Sequence, residues 1–153
     1  KIKFDILFEK YNIDKNEFFE IEFGSFPNSI AQIISSKTKI NVIGAKLKIN
    51  NQKVSHILKY HGGIIETGRV KERDRNQIPV TKEDFYLIHY ILLENDDYQN
   101  SDQDQHGNPG IYFIKKINNI QYWVCMTYTT KKDHRIGEIK KRLTVSTMFK
   151  KKA

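Results

Sequence analysis

With 153 residues, 39% of them hydrophobic, the chain is long enough for one domain with a real core and too short for two comfortable ones. No apolar run is long enough to cross a bilayer, and the lone Cys125 can neither form an internal disulfide nor build a zinc site. The net charge of +8 is unevenly placed: nine basic residues fall between Lys131 and Lys152 against only Asp133 and Glu138, whereas residues 94–104 are acidic. A basic end of this density is the footprint of a phosphate-bearing partner, although a solvated face or an acidic protein partner accounts for it too. The chain starts at Lys1 rather than Met and shows no signal peptide, which fits the C-terminal piece of something longer.

Phe4, Leu7, Phe8 and Tyr11 keep helical spacing, so residues 3–11 are expected to be a helix. Residues 18–23 are dense in aromatics and isoleucine and fit helix or strand equally. After the Pro27-Asn28 punctuation, residues 29–35 read as a second short helix. Residues 1–39 are thus expected to form a helical or adaptor segment, preceding a main unit at 40–153 within one compact whole. Residues 39–49 are rich in β-branched side chains and read as a strand.

Residues 53–63, KVSHILKYHGG, form the pivotal stretch. Val54, Ile57, Leu58 and His61 share one helical face, while Lys53, His56 and Tyr60 lie on another. Asn50 or Asn51 can cap the start, and Gly62 suits a left-handed position past the end. His61 then sits in the last turn, where the helix dipole favours an imidazolium. A protonatable ring beside glycines can serve as an acid or base. On these residues alone, a half-buried helix whose histidine closes the turn is the preferred reading.

The Arg- and Gly-rich run that follows reads as a loop or loose hairpin. Thr81 and Asp84 have the spacing of a capping box at the start of a helix over 82–93, where His89 falls in the apolar pattern and reads as structural. Residues 98–110 read as a polar excursion. Residues 110–117 and 120–129 read as strands joined by a tight turn at Asn118-Asn119, and a basic loop leads to a last strand over 141–148. Helices first and antiparallel strands last make an α+β domain.

His56 and His61 are five residues apart, roughly 140° around a helix, so they cannot share a metal as an i, i+4 pair does. No carboxylate cluster, phosphate-cradling glycine loop or nucleophile elbow is present. RNA cleavage without metal stays open, because RNA carries its own nucleophile. The 2′-hydroxyl attacks the adjacent phosphate once a base takes its proton, an acid protonates the leaving oxygen and donors hold the phosphate. Histidines with Lys, Arg, Thr and Tyr suffice, and these occur around His56–His61, Tyr128–Arg135 and Thr144–Lys150.

The segments GAKLKI, SHILKYHGG, IPVTKEDF and STMFKKK, in this order over about residues 40–152, resemble the phage-linked branch of the barnase–EndoU–colicin–RelE nuclease superfamily. The resemblance implies helices packed on an antiparallel sheet of about four strands, and metal-independent ribonuclease activity without a cofactor. It implies a toxin or effector, carried as the C-terminal part of a phage or secreted protein and acting on RNA (tRNA among the candidates) in a cytoplasm. An inhibitory partner covering the basic cleft is expected where the domain endangers its maker.

Position by position, His61 matches the family's helix-end histidine, Thr147 the threonine of the final strand and Lys150 the basic residue after it, with His56 one turn before His61. Lys59, Arg135 and Lys141 are expected to contact the RNA backbone. Strict alternation places Thr147 on the face of Leu143 and Val145, so the strand bulges, or Thr147 lines a sheet-edge cleft, or Ser146 is the working hydroxyl. Residues 131–138 are longer than the expected strand connection. The runner-up reading is a non-catalytic nucleic-acid-binding or phage-structural module with the same basic face. A transferase using the same cleft is a third.

Overall fold

Two long antiparallel strands, β6 (Ile120–Asp133) and β7 (Glu138–Lys152), form the spine of the molecule. The structure is a computed structural model that describes residues 2–13, 17–62 and 77–153; Gly63 and the Arg- and Gly-rich run through 76 lie outside the described residues, as does the side chain of Tyr11. Ahead of the spine come α1 (Ile2–Ile13), β1 (Glu20–Gly24), α2 (Asn28–Thr38), β2 (Lys46–Asn50), α3 (Asn51–His61) and the two-residue β3 (Gln77–Ile78). Then follow α4 (Lys82–Phe85), α5 (Ile88–Leu93), β4 (Asp97–Ser101) and β5 (Gly110–Ile117). The strands form one seven-stranded sheet in the order β1-β2-β7-β6-β5-β4, with β3 also paired to β7.

The α+β class stands, with helices early and the long strands late. The sheet is mixed rather than purely antiparallel, because β2 runs parallel to β7, Lys48 opposite Thr144. It also exceeds four strands. Residues 18–23 supply β1, and the polar run from 98 supplies the edge strand β4, opposite Tyr112 and Phe113 of β5. The spine explains the long basic connection: both strands extend past the sheet as a two-stranded arm, closed at 134–137 with Gly137 at a φ of 67°. Asn118 and Asn119, at φ values of 50° and 64°, make the tight turn expected between β5 and β6.

Several boundaries differ for local reasons. α2 runs three residues past its predicted end, where the hydroxyls of Ser35 and Thr38 donate back to the carbonyls of Ala31 and Ile34. It stops at Lys39 in the left-handed conformation. Ile40, Val42 and Ala45 then plug the core without forming a strand, which shortens the predicted 39–49 element to β2. The predicted 82–93 helix breaks at Tyr86-Leu87 into α4 and α5.

One face of the sheet makes the core. Phe113, Val124, Met126, Leu143, Val145 and Met148 join Val54 and Ile57 of α3 and Ile88, Ile91 and Leu92 of α5 in a single buried cluster. Leu7 and Phe8 of α1 and Ile21 of β1 belong to the same cluster, and β1 pairs with β2, so the packing has no seam between residues 39 and 40. The opposite, outer face carries Tyr112, Ile114, Trp123, Cys125, Thr147 and Phe149. Ile114 and Cys125 are buried there outside the main core. Trp123 and Phe149 stack with centroids 5.5 Å apart, and Tyr112 meets both edge-on.

Candidate active site

The helix that carries the histidines is placed without a loop. Asn50 is at once the last residue of β2 and the cap of α3, its side-chain oxygen accepting the Lys53 N–H at 2.9 Å. Asn51 pins the same corner, exchanging hydrogen bonds with the backbone of Phe19 and donating to the Glu17 carbonyl. Val54 and Ile57 are fully buried, as the periodicity predicts, which turns Lys59, Tyr60 and His56 outward. Gly62 ends the helix at a φ of −89° rather than the left-handed value expected. Glycine is needed there because a Cβ would run into the Leu58 carbonyl.

That end of α3 reaches a particular interval of β7. Along one edge, β7 pairs with β2 at residues 142–144 and with β3 at 150–151, and among the described residues no strand pairs with that edge between them. His61 is anchored at this interval on three sides. Its carbonyl accepts the Val80 N–H at 2.7 Å, its Nδ1 lies 2.7 Å from Gln77 Oε1, and its ring is 5.9 Å from that of Phe149. With Gln77 Oε1 as acceptor, Nδ1 is the donor and Nε2 is left for other work.

His56 lies one turn back, its ring centroid 6.5 Å from that of His61 and 4.8 Å from that of Tyr60. Desolvation against these neighbours, then the positive charges of Lys53, His61 and Lys59, lower its pKa below the ordinary histidine value. The two rings therefore sit in unlike surroundings. Lys59 is exposed on the last turn, its ammonium 5.4 Å from the Tyr60 ring.

Thr147 is brought out by a bulge. Cys125 is opposite Thr147 and Met126 is opposite Val145, so Ser146 is the extra residue of β7. Thr147 therefore shares the outer face with Phe149 rather than the inner one with Leu143 and Val145. The bulge also sets the two hydroxyls in unlike states. Ser146 Oγ donates to the Cys125 carbonyl at 3.0 Å, while Thr147 Oγ1 is buried with no hydrogen-bond partner among the described residues. A hydroxyl in that state costs on the order of 1–3 kcal/mol, which favours any ligand that accepts its hydrogen bond.

Lys150 corrects an expectation. It points inward, 8% exposed, with its ammonium 2.8 Å from Asp84 Oδ2. Asp84 also accepts from the Thr81 N–H at 2.8 Å, in the capping box the sequence predicts, and from the Tyr122 hydroxyl at 3.4 Å. Lys150 thus neutralises a buried carboxylate that starts α4, and is not available to a phosphate beside Thr147. Lys141 is on the inner side too, donating to the Ile43 carbonyl at 3.1 Å. Arg135 is exposed at the tip of the arm, roughly 30 Å along β6 from Trp123 at about 3.3 Å per residue.

The structure accordingly gathers His56, Lys59 and His61 at the end of α3, sets His61 against Phe149, two positions along β7 from Thr147, and leaves Lys150, Lys141 and Arg135 elsewhere. Gln77 and Phe149 are the residues that sequence reasoning passed over. Gln77 fell in a predicted loop, while Phe149 stood two positions from Thr147 in the closing motif. His89 packs edge-on to Phe23 at 5.9 Å, the structural role expected of it. No group of three or more His, Cys, Asp or Glu able to hold a metal occurs among the described residues, and no helix among them is long and apolar enough to cross a membrane. Compared with protein-family models, curated proteins and solved structures, the chain matches none.

Proposed function

We propose that this domain is a metal-independent endoribonuclease that cleaves RNA by transesterification at the interval of β7 between β2 and β3. The observation that carries the reading is a pair of histidines in unlike environments at the end of α3, with His61 against Phe149 and, two positions along β7, a buried Thr147 hydroxyl that has no partner among the described residues. His56, held toward its neutral form, removes the proton of a 2′-hydroxyl, whose oxygen bonds to the adjacent phosphorus. The P–O5′ bond breaks, and the leaving oxygen takes its proton from Nε2 of His61, whose Nδ1 is engaged by Gln77. Thr147 Oγ1 donates to a non-bridging phosphate oxygen as its charge develops, and Lys59 supplies a cation nearby. The products are a 2′,3′-cyclic phosphate and a 5′-hydroxyl. The resemblance to phage-linked nucleases supports the same reading and adds a delivered toxin or effector, with an inhibitor covering the basic face.

A non-catalytic nucleic-acid-binding module is favoured by one feature, the basic arm, which needs no histidine. Incubation with total tRNA in EDTA, beside His61→Ala and Thr147→Ala, separates the two. Discrete fragments ending in cyclic phosphate, with His61→Ala lowering the rate about 10²–10⁴-fold, are expected. Intact RNA at high protein concentration, still shifted on a gel, would overturn the enzyme and leave the module.

A further inference from the structure

Two side-chain polar atoms are buried without a hydrogen-bond partner among the described residues, Thr147 Oγ1 and Arg142 Nε. Both lie on the outer face of β7. Arg142 is opposite Thr129 and Thr147 is opposite Cys125, four residues apart on β6, or about 13 Å. Between them on that face stand Thr127 and Thr144, directly opposite each other. Beyond Arg142 the face continues with Lys131 opposite Lys140, a like-charge pair that repels across the strands. Among the described residues its relief is a contact from Lys140 to Asp133 at 3.8 Å. At the other end lie the half-exposed rings of Trp123 and Phe149.

We infer that this file is the binding track of an unpaired RNA strand, with Arg142 as a phosphate-binding residue on the track. The inference rests on the nuclease reading for the position of the scissile phosphate at Thr147, but its binding claim stands apart from catalysis. Arg142 and the hydroxyls are hydrogen-bond donors in line, and phosphates at intervals along a strand supply acceptors to each. The two lysines stop repelling once an anion lies between them. Where the file runs onto the arm, at Lys131 and Lys140, the sheet narrows to two strands, about 10 Å, and its other end meets aromatic rings that can take a base on their faces, which suits a single strand better than a duplex.

The test is binding of a fluorescent 2′-O-methyl oligonucleotide of about twelve nucleotides to the full chain, since this probe lacks the nucleophile and cannot be cut. For three phosphate-contacting cations the slope of log affinity against log salt is expected near −2, and Arg142→Gln lowers its magnitude by about 0.7 and weakens binding about tenfold. Arg142→Lys keeps the slope. The exposed pair Lys131→Gln with Lys140→Gln reads the same track should Arg142→Gln fail to fold. Unchanged affinity and slope in the folded variants overturn the track. Equal or tighter binding of the corresponding duplex, or competition by polyglutamate at equal charge, overturns the unpaired strand. A chain that binds this probe through Arg142 yet leaves natural RNA intact refutes the nuclease and keeps the track.

Discussion

Thr147 and Lys150 are three residues apart on one strand and stand in opposite conditions. Lys150 faces the core with its charge matched by Asp84, and Asp84 is in turn held by Thr81 and Tyr122. Thr147 faces outward with a buried hydroxyl that has no hydrogen-bond partner among the described residues. Satisfied polar groups on the inner face hold the fold, and an unsatisfied one on the outer face gains from any ligand that comes to meet it. The bulge at Ser146 is what makes residues of one basic, threonine-containing motif serve such different ends.

Three measurements sharpen this contrast. The largest effect belongs to the inner face: Lys150→Met strands Asp84 without its cation and is expected to cost about 3–5 kcal/mol in chemical denaturation. A loss under 1 kcal/mol would mean that water reaches Asp84 and the pair is not structural. Next is Thr147→Val, which keeps the shape and removes only the hydroxyl. Stability should hold or rise slightly, while the cleavage rate falls about 10²-fold if that hydroxyl meets the phosphate. A stability loss with full activity would reverse the assignments of the two faces.

The smallest effect concerns His56. Its folded pKa is depressed, so the unfolded chain binds the proton more readily. Its contribution to stability is therefore fully present above the ordinary histidine value of about 6.5 and is lost as pH falls from there through the folded pKa. NMR titration of the ring should place the midpoint below that of a model peptide, and Lys53→Met, removing the largest of the repelling charges, should raise it. A midpoint that ignores Lys53 would leave desolvation and the weaker charges of His61 and Lys59 as the cause.

What the sequence made legible was local. The α3 faces follow a 3.6 period, and Asn50, Thr81-Asp84 and Asn118-Asn119 announce their roles through side-chain chemistry within a few residues. The bulge was readable as one of three options, because a Thr at the wrong parity beside Leu143 and Val145 demands an explanation. What stayed hidden depends on distant partners. β4 is a polar edge strand with no apolar alternation to reveal it, its register fixed by β5. Nothing in LKI indicates that β2 runs parallel to a strand nearly a hundred residues later. Arg142 and Lys141 look alike in sequence, yet adjacent positions on a strand face opposite ways, and only the pairing says which way is out.

The absence of a loop between β2 and α3 gives that helix the character of a spacer. Its origin is clamped at Asn50 and its far end must deliver a ring to Gln77 and Phe149 after eleven residues, about 16 Å. Adding or deleting one residue anywhere along it turns His61 by about 100° and shifts it about 1.5 Å. The helix can change its outward composition freely, but its length is bound to the chemistry at its tip.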